Sequence, residues 1–523
     1  MRTTWFSIVA CTALFLAAAT LPARRPAKPP PPGPSTVTVG PTGQDYTTPC
    51  AAIMVATNGE EIDIQPGTYT DTCEINVPGL TLRGVNGQPK IDLTGKAPAD
   101  KKGIYVVSSD DVTIDNLELM GAQIADSDGG NAAALRVTGQ GLVVHGCYIH
   151  DNQNGILAAP LVDGGSITIE NTELSHNGLG DACDQGGCVH NVYISKTSTS
   201  VRYDRTVFQF NWTHDLASDT ADKGHLLKSR SRETDVLYNR ITGEMGHDSY
   251  EVDLPNGGVG IVVGNVIEKG PSADNSTLLA YGEEGIDNPS SDLYVESNTF
   301  VNDFGKGTFV SVASGATLTA HDNIFYGTGT PSSTGALSAD NLSGTDPLFV
   351  DAASYDYHLE AGSPAIGKAV AAPVVGSVVL TPIDEYVQPL ESVSRLTAHD
   401  LGAFEYGTNT ADAGANGGSM DPFSTGSEPA LETAMDDAGA VVGGSSSGAG
   451  SSGGVASSGG VASSSGASPG AGSVDGGANA NGANATVAAG CGCHAARHGQ
   501  AGGLAALALF ALFALRRSRA PQG

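Results

Sequence analysis

Val236-Leu-Tyr-Asn239, Ile261-Val-Val-Gly-Asn265, Leu293-Tyr-Val-Glu-Ser-Asn298 and Leu318-Thr-Ala-His-Asp-Asn323 are versions of one phrase. Apolar and polar side chains largely alternate and the phrase closes on Asn, the pattern of a short strand with one buried face followed by a turn. Upstream, Val112-Thr-Ile-Asp-Asn116, Val143-Val-His-Gly146, Ile167-Thr-Ile-Glu-Asn171 and Val201-Arg-Tyr-Asp-Arg205 continue the series. Their last positions are spaced 30, 25, 34, 34, 26, 33 and 25 residues apart. Coils of one common length that carry loop insertions of different size give such intervals, and stacked parallel coils bury a continuous core. Asn at the same turn of successive coils is placed to stack as a hydrogen-bonded ladder. Helical patterns do not alternate with the strands, which excludes a doubly wound sheet. The expected fold is all-β: a single-stranded right-handed parallel β-helix over residues 36–406.

Composition agrees. Gly supplies 70 of 523 residues, and aromatic residues only 6 %. Many tight turns need the positive φ that Gly adopts freely. The net charge of −30 excludes nucleic acid as a partner, because phosphate binding needs Lys and Arg. An anionic ligand would need a local basic patch or a bridging cation.

Both ends read as processing or tether segments. Residues 1–23 have Arg2, an apolar run from Ile8 to Ala19 and small residues to Ala23, the order of a secretory signal; Ile8-Val-Ala-Cys11 also faintly matches a lipoprotein site. Export makes disulfides permissible. Cys50 with Cys73 and Cys183 with Cys188 are the candidate pairs, and Cys147 reads as a buried free thiol. Residues 24–35 are a stiff Pro-rich linker, and 407–490 a Gly, Ser and Ala stalk too poor in large apolar residues to fold. Residues 491–523 hold Cys491-Gly-Cys493, an apolar run from Ala501 to Leu515 and Arg516-Arg-Ser-Arg519. The run is short for a membrane span, which takes about 20 residues. It reads either as a plain C-terminal membrane anchor or as a processed sorting signal. The order of Cys pair, apolar run and Arg cluster resembles the MYXO-CTERM tail of myxobacterial surface proteins, which implies cleavage near the Cys pair and attachment at the outer surface.

Two further resemblances bracket the repeat. Asp45-Tyr-Thr-Thr-Pro-Cys50 with Glu61-Ile-Asp-Ile-Gln-Pro-Gly-Thr-Tyr69 resembles the opening of pectate-lyase-like β-helices, where a short helix caps the core. Asp346-Pro-Leu-Phe-Val-Asp351, Tyr357-His-Leu, Gly362-Ser-Pro-Ala-Ile366 and Asp400-Leu-Gly-Ala-Phe-Glu-Tyr406 resemble the choice-of-anchor Q segment that closes many surface β-helices. Both speak to architecture rather than to reaction.

The chemistry concentrates between residues 181 and 285. In Gly224-His225-Leu-Leu-Lys228-Ser-Arg230-Ser-Arg232 the three cations alternate at period two, so they share a strand face. Three charges cannot all enter the core, so that face looks outward. One coil on, Ser249-Tyr-Glu251-Val-Asp253 places Glu251 and Asp253 on one face. The bland reading is a salt-bridge ladder in which Arg230 and Asp253 neutralise each other. The functional reading is a site for an acidic polysaccharide. β-Elimination of a uronate needs a cation on the carboxylate, a base for the C5 proton and an acid for the leaving oxygen. Lys228 among Arg side chains is the candidate base, its pKa lowered by them; Arg230 and Arg232 are the carboxylate binders; Tyr250, Tyr193 or His225 is the acid. His190 and His214, 24 residues apart, are placed to stack beside Lys228 one coil from each other, and Tyr281 falls a further coil along. Glu251, Asp253 and Glu283 are the carboxylates that could hold a metal, calcium by their hard-oxygen donors. Leu226-Leu-Lys228-Ser followed one coil later by Ser249 to Gly257 resembles the catalytic coils of the alginate lyase and chondroitinase B family. There a Lys of a Lys-Ser pair is the base and an Arg one coil on is the acid. Lys228 matches, but Asp253 stands nearest to the Arg position, and Asp219 and Asp222 stand off the family's calcium spacing. The leading expectation is a lyase acting on an acidic polysaccharide at the cell surface. The alternatives are a non-catalytic glycan-binding or adhesive surface protein, and a hydrolase using Glu251 with Glu283.

Overall fold

A computed structural model describes residues 36–408 apart from 99, 180–188, 217–223, 336 and 377. The signal, linker, stalk and tail expectations, the Cys183–Cys188 pair, Asp219, Asp222 and Lys223 lie outside the described residues. Among the described residues no helix is long and apolar enough to cross a membrane.

The chain winds through three parallel sheets in turn. The first has eleven strands from Thr36–Val39 to Thr317–His321, the second eleven from Thr68–Tyr69 to Leu342–Ser343, and the third ten from Cys73–Ile75 to Thr330–Ser332. This is a parallel β-helix, with the right-handed winding that twisted parallel strands impose on their crossovers. Inward side chains stack in rows. On the first sheet Ile114, Val144, Ile169, Phe208, Val236, Val262 and Val295 follow one another in register and are fully buried. The helix Pro49–Ile53 sets Cys50, Ala52 and Ile53 into one end of this core, and Cys50 is bonded to Cys73. Cys147 is a buried free thiol, its pKa pushed up to about 12 by burial.

The repeated phrase lies on the first sheet and its closing turn, with one exception. Val201–Arg205 is not a strand; the strand is Arg205–Gln209. Arg202 is drawn instead to Asp287 at 2.8 Å, and Tyr203 enters the core. At the turn between the first and second sheets the chain passes through a left-handed residue, Tyr238 or Gly264 for example, and then a buried Asn. Each Asn accepts the backbone N–H of the Asn one coil before. The N···O distances are 2.9 Å from Asn211 to Asn239, 2.8 Å to Asn265, 2.9 Å to Asn298, 2.9 Å to Asn323 and 3.0 Å to Asn341. At the turn after the second sheet Asn152 donates to Asn177 of the next coil, and Asn177 donates to Asn191 in the third-sheet strand His190–Ile194.

The described residues from 344 to 408 form no further coils. They make three antiparallel pairs, Phe349–Asp351 with Asp356–Leu359, Val374–Val375 with Val378–Val379, and Asp384–Val387 with Glu391–Ser394. This segment runs back over the solenoid. Leu380 packs on Tyr238, Ile261 and Val263 of the first sheet, and Tyr357 and Phe404 on Val266 and Val301 of the second. The third sheet is left to build a cleft of its own.

Replacing Asn265 by Ala should destabilise the fold by at least about 2 kcal/mol. Asn239 loses its acceptor, and the carbonyls of Val236 and Val263 lose a donor, at about 1–3 kcal/mol per stranded buried group. Asn341→Ala, at the half-buried end of the ladder, should cost less. Urea unfolding of both variants measures the difference.

Candidate functional site

The strand His225–Ser229 belongs to the third sheet, and Leu226 and Leu227 both enter its core. Two inward residues in succession break the alternation, so His225 and Lys228 both meet Asp253 of the next coil, His225 Nε2 at 3.3 Å and Lys228 Nζ at 2.7 Å. In register across the outer face stand Arg136, Leu157, Tyr193, Lys228 and Asp253.

The cationic face is outside the core, as its charges require, but it is not open. The loop after Tyr281 folds back over it. Glu284 lies 2.9 Å from Lys228 Nζ and 2.7 Å from Arg230 Nη1. Arg230 also donates from Nη1 to Asn256 at 2.7 Å and from Nε to the Tyr193 hydroxyl at 2.8 Å. Lys228 and Arg230 are therefore only 4 % and 5 % exposed. Arg232 leaves this face, because the strand has ended at Ser229, and pairs with Asp163 and Asp204 at 2.8 Å each.

Electrostatics corrects the role expected of Lys228. Burial alone would lower its pKa, but Asp253 and Glu284 outweigh burial and raise it above the ordinary lysine value. The ammonium is charged, so it is not the neutral base foreseen from its Arg neighbours. The salt-bridge reading held for the face as a whole, with Lys228 rather than Arg230 taking Asp253. His225 is neutral, held well below its ordinary value by burial and by Lys228. Its Nδ1 accepts from Tyr250 N at 3.2 Å, which puts its proton on Nε2 toward Asp253. His190 repeats the device, its Nδ1 accepting from His225 N at 3.0 Å. The rings of Tyr193, His190, His225 and Tyr250 follow one another at 4.9, 5.1 and 5.0 Å.

Two expected binders lie elsewhere. Tyr281 aligns with Leu254 and sits in the core, donating to the Gly258 carbonyl. His214 is on the second sheet, between Glu173 at 3.2 Å and Asp215 at 3.6 Å. The coil between His190 and its true partner His225 is 35 residues long, so a 24-residue step ends one sheet short.

The acidic cluster also differs in membership. Asp253, Glu283 and Glu284 bring carboxylate oxygens within 4.8 Å of one another. Glu251 is instead fully buried against Lys269, 2.8 Å away, which also takes Asp248. Burial and the neighbouring Asp253 push Glu283 up to about 10, so it is protonated at neutral pH. The remaining two carboxylates are matched by Lys228 and Arg230. The donor types suit calcium, but this charge is already balanced, and a divalent ion would have to displace Lys228. The arrangement fits an ammonium.

Beside this cluster opens a cleft of about 670 Å³ lined by Arg136, His190, Tyr193, Lys196, Arg230 and Glu284 among others. Lys196 is paired with Asp287, and Arg230 with Glu284. Arg136 donates to the Asn131 carbonyl at 3.2 Å and makes no ion pair with a described residue. Arg136 and Glu284 were not among the expected site residues. A charge between Leu135 and Val137 of a strand was the one available signal for the first. Nothing local marked Glu284 as the partner of Lys228.

The chain matches no model of a known protein family and no curated protein sequence. Among solved structures it is similar to pectate lyase Pel9A, with 15 % identity, a TM-score of 0.43 and coverage of 72 % of this chain and 98 % of that one. It is similar also to a rhamnogalacturonan lyase, with 13 %, 0.41, 72 % and 97 %, and to a pectin methylesterase from Aspergillus niger, with 16 %, 0.29, 61 % and 92 %. Likeness at this level says nothing of chemistry.

Lys228→Ala should lower stability by about 3–5 kcal/mol, because it strands the fully buried Asp253 and leaves Glu284 with Arg230 alone. Thermal and urea unfolding read the loss, and a variant melting like wild type would contradict the pairing. A second test concerns pH. Burial would depress His214, but hydrogen bonds to Asp215 and Glu173 outweigh it and raise its pKa to about 9. Between the ordinary value of about 6.5 and 9 the folded protein binds this proton and the unfolded chain does not, so its contribution is lost as pH rises through that window. His214→Gln should remove a pH-dependent difference of up to about 3 kcal/mol, measured as wild type minus variant at pH values on either side.

Proposed function

We propose that the protein acts on an acidic polysaccharide held in the third-sheet cleft, and that it cleaves this chain by β-elimination with Tyr193 rather than Lys228 moving the proton. The observation that carries the reading is the placing of a guanidinium that makes no ion pair among the described residues in one row with a phenol bonded to a second guanidinium. Arg136 stands two strands from Tyr193 in one register row, about 10 Å at the usual strand spacing. Arg136 neutralises the uronate carboxylate and makes the C5 proton acidic. The Tyr193 oxygen, which accepts a hydrogen bond from Arg230 Nε, takes that proton as its own hydroxyl proton goes to the leaving oxygen. The electron pair forms the C4–C5 double bond, and the C4–O bond breaks. An acidic polysaccharide is met outside the cell, which accords with a secretory signal and a surface tether at the two ends.

A non-catalytic glycan-binding role is the second reading, favoured by the closed ion pairing of Lys228. Absorbance of the unsaturated product across a panel of uronates decides between them. The lyase reading expects cleavage, with Tyr193→Phe losing roughly two decades of turnover and Arg136→Ala lowering turnover as well as raising KM. Binding of uronate oligomers that depends on Arg136, with no cleavage of any of them, would replace the lyase by the binding protein. Absence of both would end the proposal.

A further inference from the structure

A second cleft, of about 600 Å³, lies on the other side of the solenoid, between the outer face of the first sheet and the hairpin that pairs Val374–Val375 with Val378–Val379. Its walls are apolar: Phe210, Tyr238, Ile261, Val263 and Leu380. Phe210 and Tyr238 stack at 5.4 Å. Its polar end holds Arg205, Glu233 and Asp235, and Asp384 lines it beside Tyr238. Arg205 Nε donates to Asp235 Oδ2 at 2.7 Å and lies 3.1 Å from Glu233 Oε1. One guanidinium thus faces two carboxylates. Asp235 is 1 % exposed, and its second oxygen, Oδ1, has no hydrogen-bond partner. A buried carboxylate oxygen without a donor is an unfavourable state that a bound donor would relieve.

We propose that this cleft is a separate binding site for an organic cation, a primary ammonium group carried on an aromatic or aliphatic body. The ammonium supplies up to three N–H donors and the charge that the carboxylates lack, and the body covers the apolar walls. The same charge count rejects the alternatives. An acidic glycan would be repelled by Glu233, Asp235 and Asp384. The chain's own stretch 409–490 contains no Lys or Arg, so it cannot supply the cation. Burial and the nearby Glu233 push Asp235 up to about 6 even against Arg205, which agrees with a carboxylate short of positive partners.

Calorimetric titration of the full chain with phenethylamine, phenethyl alcohol and phenylacetate tests the assignment, since the three share a body and differ in charge. The amine should bind and raise the melting temperature, the alcohol should bind at least about tenfold more weakly, and the acid should not bind. Asp235→Asn should weaken the amine about tenfold or more, and Glu233→Gln, at a half-exposed position that folding tolerates, severalfold. Failure of the amine to bind, equal binding of amine and alcohol, or wild-type amine affinity in a folded Asp235→Asn or in Glu233→Gln would each overturn the site. Uronate binding in the third-sheet cleft is an independent readout that neither variant should move.

Discussion

Each coil of this protein must turn a corner at which the backbone leaves one sheet and has not yet joined the next, and the amides there are cut off from water. Buried asparagines resolve that constraint. One side-chain oxygen accepts the N–H and the side-chain amide of the preceding coil, while the amide nitrogen donates to strand carbonyls, as Asn265 does toward Asn239, Val236 and Val263. The residue just before is left-handed, and at Gly264 a side chain would meet the Tyr238 ring at 2.5 Å. From Asn211 to Asn341 the ladder fixes the rise from coil to coil, and with it the register of the side chains outside the core.

That register is what places charge against charge on the third sheet. Arg136, Tyr193, Lys228 and Asp253 fall on one row because their strands pair without a slip. Lys228 and Arg230 are buried although they lie outside the solenoid core, because the Gly282–Asp287 loop covers them and supplies Glu284. Such burial is tolerable only with close countercharges, since desolvating an ammonium or guanidinium is costly. Pairing keeps the lysine charged, so the lysine cannot also be a base. Arg136, which makes no ion pair with a described residue, and the phenol of Tyr193 are what this pairing leaves available.

The closing segment shapes the rest of the surface. By lying over the first and second sheets it buries Val266, Val301 and Tyr238, and it walls the second cleft with Leu380. The two clefts consequently differ in charge. One presents guanidinium groups beside a balanced cluster, and the other presents two carboxylates to one arginine.

The coil, its inward rows and the Asn ladder were legible in the sequence because strand alternation and turn residues are local, and each phrase from Val112 to Asn323 carried its own signal. Val201–Arg205 misled because Tyr203 and Arg202 imitate the alternation while serving a turn held by Asp287. The site was legible only in part. The row of Lys228, Arg230, His225, Tyr250, His190 and Tyr193 did assemble, since short motifs on neighbouring coils stack. His214 and Tyr281 did not join it, because coil length varies with loop size and a count of residues does not say which sheet a position reaches. By itself the sequence determined the solenoid. Only the tertiary structure decided that Glu284, 56 residues from Lys228, would neutralise it, and that Arg136 would make no ion pair with a described residue. Those outcomes depend on where loops of unequal length come to rest, and no local pattern encodes that.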